Sequence, residues 1–188
     1  MEELEKLHDE IKKCSKCPLH KGRIQAVPGD GNPKADVFFI GEGPGAEEDK
    51  QGKPFVGAAG KFLDVMLTEI GWKRDDVFIG NIVKCRPPDN RDPLPEEIDT
   101  CCSYLEAQLE IIKPKIIVLL GRHAMYRFLS SDFKISKEHG KVFHRQNKFL
   151  VPLYHPAAAL YHASLRQTLI DDFKRLPKII EKVKEMSD

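Results

Sequence analysis

The sequence predicts an α/β fold built on a four-stranded parallel sheet with helices on both faces. Three observations lead there. Short runs are continuously apolar rather than alternating, as strands buried on both faces require. These runs alternate with segments of helical period. The unusual residues gather at the carboxyl ends of the runs, the edge where ligands collect in such sheets.

The elements follow in order. Residues 2–13 put Leu4, Leu7 and Ile11 on one face of a short charged helix. A loop then passes Cys14 and Cys17 to Gly31-Asn32-Pro33. Val37-Phe38-Phe39-Ile40 is the first strand, closed by a glycine-rich turn. Phe62, Leu63, Met66, Leu67 and Ile70 recur at helical spacing over 61–70, and Gly71 stops that helix. Residues 77–83 are the second strand, and 87–95 a polar, proline-rich loop. A helix starts at Pro95 with Glu96 and Glu97 in its first turn and runs to Ile112. The third strand, 115–120, is closed by Gly121 and followed by a helix over 122–129. The fourth strand, 148–153, ends at His155-Pro156, and a closing helix over 165–184 is expected to kink at Pro177. No internal repeat or low-complexity tract interrupts the pattern.

The 188 residues fit one domain, 1–188, with a substantial core. Lys plus Arg is 30 against Asp plus Glu 29, a net charge of +1, so a polyanion would have to be met by local clusters rather than by overall charge. No uninterrupted apolar stretch of about 18 residues exists, so no membrane span is expected. Without an export signal the expected compartment is the cytoplasm, a reducing place that suits free thiolates. High charged content with few Asn and Gln leans towards a heat-tolerant source.

The cysteines carry the strongest chemical signal. Cys14 and Cys17 form a C-x-x-C pair ahead of Pro18, Cys85 lies in Lys84-Cys85-Arg86-Pro87-Pro88, and Cys101 adjoins Cys102. Four thiolates gathered from these segments suit an iron–sulfur cluster or a zinc ion, which spacing alone does not separate. The competing reading is a redox pair with the other three cysteines in the core. Disulfides are disfavoured by the odd count of five.

Other motifs sit at the strand ends. Gly41-Glu42-Gly43-Pro44-Gly45 lets main-chain N–H groups approach a ligand, but it lacks the lysine and hydroxyl of a Walker A loop and the G-x-G-x-x-G spacing. Phe55, between Pro54 and Gly57, can offer a flat face to a base or anchor its loop in the core. Asn81 can match one heterocycle edge and mismatch another, or cap a turn. His155 alone reads as a structural histidine and gains weight only in a set.

Taken together, these runs closely resemble the family 4 uracil-DNA glycosylases, the iron–sulfur class of thermophilic bacteria and archaea. The resemblance is carried by Gly41-Glu42-Gly43-Pro44-Gly45, by Glu48-Asp49 with the segment 52–60, by Asn81-Ile82-Val83-Lys84-Cys85-Arg86-Pro87-Pro88, and by His155-Pro156-Ala157-Ala158, with Cys14, Cys17 and Cys101 completing it. It spans nearly the whole chain and implies a three-layer α/β/α fold. It further implies a 4Fe-4S cluster on Cys14, Cys17, Cys85 and Cys101, architectural rather than catalytic, with Cys101 chosen over Cys102 for its distance before Tyr104-Leu105.

The resemblance implies a uracil flipped out of single- or double-stranded DNA and hydrolysis of its N-glycosidic bond. Phe55 would stack on the base, and Asn81 would accept from N3–H and donate to O4. Main-chain groups of Glu42, Gly43 and Gly45 would hold the base oxygens, and His155 would hydrogen-bond O2 as charge gathers there. In the best-known uracil glycosylases an aspartate two places after the first motif glycine handles water; Gly43 stands there, which leaves Glu42 as the nearest carboxylate, or as a loop tie. Glu48 would crowd C5 against a thymine methyl. Lys84, Arg86, Arg91 and Arg166 would meet phosphates, and Leu160 would wedge into the vacated stack or sit in the core. A monomer is expected. The alternatives are a metal-stapled nucleic-acid-binding module without catalysis and an iron–sulfur redox protein.

Overall fold

A computed structural model describes residues 2–145 and 147–186. Its six-stranded sheet has the order β1 (Asp30–Gly31), β3 (Phe78–Asn81), β2 (Val37–Gly41), β4 (Ile116–Leu120), β6 (Lys148–Leu153), β5 (Phe143–Arg145). The four strands read from the sequence form its parallel centre: β2 between β3 and β4, with β6 beyond β4. Two short antiparallel strands, β1 and β5, extend the edges. They escape sequence reading because neither has a fully buried residue, so neither writes an apolar run.

The pleat of β2 explains both cores. Phe38 and Ile40 point to one face, where they join Phe78, Ile117 and Leu119 under α1 (Glu2–Lys13) and α4 (Pro95–Ile112). Val37 and Phe39 point to the other, with Ile79, Ile116, Val118 and Leu120 under α3 (Ala58–Glu69) and α8 (Ala163–Glu185). Leu4, Leu7 and Ile11 of α1 are buried as their spacing predicts. Helices therefore cover both faces, and the architecture is a three-layer α/β/α sandwich. Among the described residues no helix is long and apolar enough to cross a membrane.

Local differences have local causes. α3 begins three residues ahead of the predicted start, through Ala58-Ala59-Gly60, because this segment must pass under the Phe55 loop. A Cβ on Gly60 would stand 1.8 Å from the Phe55 carbonyl oxygen. β3 ends at Asn81 rather than at 83, although the N–H groups of Ile82 and Val83 still reach the carbonyls of Gly41 and Glu42 at 3.0 and 3.1 Å. Short helices α2 (Ala46–Gln51), α6 (Ile135–Glu138) and α7 (Pro156–Tyr161) fill predicted loops, and α5 (Arg122–Phe128) agrees with its prediction. α8 starts at Ala163, two residues ahead of its prediction, and runs through Pro177 to Glu185 as one helix.

Candidate functional site

The parallel centre aims its carboxyl ends one way. Gly41 closes β2, Asn81 closes β3, and two residues past β6 the chain reaches His155. Around them opens a cleft of about 420 Å³, lined by Glu42, Gly43, Gly45, Glu48, Phe55, Asn81, Arg91 and His155 among others. Sequence-distant residues thus become neighbours because the sheet stacks their strands in register.

Phe55 is held from several sides. Its backbone is left-handed (φ 52°), a conformation a bulky residue adopts only when its surroundings impose it. Arg74 donates to the carbonyls of both Pro54 and Phe55 and pairs with Asp64 at 2.6 Å. Glu48 accepts from the N–H groups of Val56 and Gly57, each at 2.8 Å, and from Gly45 at 3.1 Å. The Phe55 ring stacks on His155 with centroids 5.5 Å apart and planes 28° apart. Gly41 leaves the room: a Cβ there would stand 2.5 Å from Asn81 Oδ1 and 2.7 Å from the Phe55 ring.

Asn81 is 2 % exposed, and its Oδ1 is buried without a hydrogen-bond partner. An unpaired buried acceptor costs about 1–3 kcal/mol, so such an atom calls for an explanation. His155 accepts from the Ala157 N–H at its Nδ1 (3.1 Å), which puts the ring proton on Nε2. Burial pulls its pKa down to about 4, against a weaker opposing pull from Glu48, so the ring is neutral at pH 7. The pair offers one acceptor and one neutral donor beside an aromatic face.

Three predicted contacts need correction. Lys84 is 1 % exposed, and its Nζ donates to the Asn81 carbonyl (2.8 Å) and to Gln108 Oε1 (2.6 Å), so it is an internal strut and not a phosphate contact. The Gly45 N–H is engaged by Glu48 and cannot also hold a base oxygen. Arg91 lines the cleft but spends its guanidinium on Glu97, a bidentate pair at 2.9 and 2.7 Å. Arg86 is half-buried and bonds Asn90, while Arg166 is exposed over the Phe62 ring. Leu160, at 41 % exposure, is not core, and neighbouring Tyr161 is 82 % exposed.

Sequence reasoning missed Asp92 and His123, which meet Glu42 at the cleft margin. The Gly121-Arg122-His123 run at the end of β4 was the available signal. Burial raises the Glu42 pKa, opposed by His123.

A second cavity is lined by Cys14, Cys17, Cys85 and Cys101 together. Arg23 donates to Cys85 Sγ (2.8 Å), the Lys84 N–H to Cys101 Sγ (3.3 Å) and the Lys16 N–H to Cys14 Sγ (3.5 Å). Donors aimed at sulfur suit thiolates, and a cage of four thiols suits a metal cluster. Cys102 faces elsewhere and receives Arg127 at 2.8 Å. Arg23, which also bonds the carbonyls of Lys12 and Cys14, left no mark in the sequence.

This sheet, with a ring, an amide and an imidazole around one cleft at its strand ends, defines a class. Residues 28–182 match the family model described as the Uracil DNA glycosylase superfamily. The type-4 uracil-DNA glycosylase of Sulfurisphaera tokodaii is 50 % identical, the match covering 95 % of this chain and 86 % of that protein. That of Archaeoglobus fulgidus is 48 % identical over 97 % and 96 %, and that of Saccharolobus solfataricus 50 % identical over 96 % and 88 %. The chain belongs to the type-4 uracil-DNA glycosylase family.

Proposed function

We propose that the cleft receives a uracil turned out of DNA and that the protein hydrolyses its N-glycosidic bond, leaving an abasic site, the first step of base excision repair. The observation that carries this is the unpartnered Asn81 Oδ1, buried beside the Phe55 ring and His155. Uracil N3–H supplies the missing donor, and the Asn81 amide N–H serves O4. Cytosine presents the reverse pattern and would leave both sides unpaired.

Phe55 stacks on the base, its ring already steadied by His155. The neutral imidazole donates from Nε2 to O2, where charge gathers as the N1–C1′ bond breaks; a preorganised donor of this kind is worth ~3 kcal/mol. The sugar passes through an oxocarbenium-like state, and water adds at C1′. Glu42 orients that water. Glu48 borders the C5 side while strapping the Phe55 loop. Arg86 and Arg166 meet phosphates, and Leu160 fills the space the base leaves. A redox carrier has no use for the unpaired Asn81 acceptor.

Cys14, Cys17, Cys85 and Cys101 would hold a 4Fe-4S cluster, whose contribution is structural. The chain around them ties α1 to the segment after β3 and to α4. A cytoplasmic, reducing setting and a monomer complete the reading.

The test is incubation with a uracil-bearing oligonucleotide followed by alkali. Strand scission at uracil, absent with cytosine or thymine in its place, is expected. An intact oligonucleotide in both single- and double-stranded form overturns the proposal.

A further inference from the structure

Three side chains from three separate segments converge at the cleft margin. Glu42 follows β2, Asp92 lies in the loop before α4, and His123 is in the first turn of α5, with their ligand atoms all within 4.8 Å of one another. His123 Nε2 stands 3.1 Å from Asp92 Oδ2 and 3.7 Å from Glu42 Oε2. Arg122 holds Asp92 at 2.8 Å and turns its Nε towards His123 Nε2 at 3.1 Å. A guanidinium already on the carboxylate makes this a poor cation site and leaves a charge-paired group, with Arg122 donating to Asp92 and to His123 and His123 in ion-pair range of Glu42. Glu42 and Asp92 line the cleft, whereas His123 stands behind them.

We propose that His123, steadied by Asp92 and Arg122, is a positioning residue that aims Glu42 into the cleft, towards the water that attacks C1′. This rests on the reading of Glu42 as the water-handling group. The N1–C1′ electron pair leaves with uracil, the water oxygen bonds to C1′, and the water proton passes to the Glu42 carboxylate and then to solvent.

The local charges oppose one another in a way that can be tested by sign. Burial favours the neutral acid at Glu42; His123 and Arg122 favour the carboxylate, and Asp92 disfavours it. Across the cleft, Glu48 is spent on three main-chain N–H groups, Arg91 on Glu97, and His155 is neutral. Removing His123 must therefore leave Glu42 protonated to higher pH, and removing the Asp92 charge must do the reverse.

The experiment is the pH profile of single-turnover uracil release for the wild type, Glu42→Gln, His123→Gln and Asp92→Asn. The acid limb is expected to vanish in Glu42→Gln, to move up by about one pH unit in His123→Gln (roughly tenfold slower on that limb), and to move down in Asp92→Asn. Asp92 is exposed at the surface, so its variant carries the test even if His123→Gln fails to fold. A limb that Glu42→Gln removes but that neither neighbour moves overturns the role of His123 while leaving Glu42 in place. A wild-type limb in Glu42→Gln overturns the reading of Glu42 itself, and the His123 proposal with it.

Discussion

The two cavities of this protein solve opposite problems. In the cysteine cavity the chain supplies its own partners: Arg23 and the main chain of Lys16 and Lys84 are aimed at three of the four sulfurs. In the base cleft the chain withholds one, leaving Asn81 Oδ1 buried and unpaired. On the proposed reading, the first would hold a permanent occupant and the second would wait for a transient one. Lys84 joins them, lining the cysteine cavity while its Nζ donates to the Asn81 carbonyl. Holding a polar group unsatisfied costs stability, which the packing around it must offset.

If the cleft is the waiting half, losing its unpaired acceptor should cost activity and not stability. Asn81→Ala removes an acceptor that has no partner in the free protein, so uracil release should slow by roughly 10²–10³-fold with little change in melting temperature. Gly41→Ala should do similar harm to the rate but lower the melting temperature as well, because its Cβ would intrude on both Asn81 and Phe55 inside a buried strand. Rates near wild type in either would break the contrast.

The cysteine half should behave the other way. Cys101→Ser is expected to lose bound iron and to lower the melting temperature together, whereas Cys102→Ser keeps its iron. Iron content and visible absorbance check this; iron loss in Cys102→Ser alone would reverse the assignment.

The strut sharpens the comparison. Lys84→Met strands the Asn81 and Gln108 oxygens, each costing about 1–3 kcal/mol if left bare, yet it should leave the salt dependence of DNA binding unchanged. Arg166→Ala should do the opposite, lowering the salt slope by about one with stability near wild type.

The smallest effect is in acid. Burial lowers the pKa of His8 and of His155 to about 4 from 6.5. Between those values the unfolded chain binds protons that the native protein refuses, so stability is complete above pH 6.5 and declines as pH falls towards 4. The melting temperature should drop across that window, and less steeply in His8→Gln.

Much of this was legible beforehand because it is local. The continuous apolar runs of β2 and β4, the helical spacing of α1 and the glycine turn at 41–45 are each set by neighbours along the chain. Asn81 and His155 end or follow strands whose direction the α/β pattern already dictates, whereas Phe55 lies in the loop between α2 and α3 and was singled out by the resemblance. Edge strands and six-residue helices were not legible, because elements that bury little leave little periodicity.

The sequence by itself determined the layered α/β frame, the four-cysteine set and the three residues that meet in the cleft. Tertiary structure alone decided that Lys84 is a buried strut, that Arg91 belongs to Glu97, and that Glu42, Asp92 and His123 meet. It also put Cys101, the one chosen through the resemblance, on the four-cysteine cavity and Cys102 on Arg127: both are buried, but adjacent residues on a helix point about 100° apart. Spacing along a chain fixes periodicity, but the phase of a helix and the company of a charge are fixed only when distant segments pack.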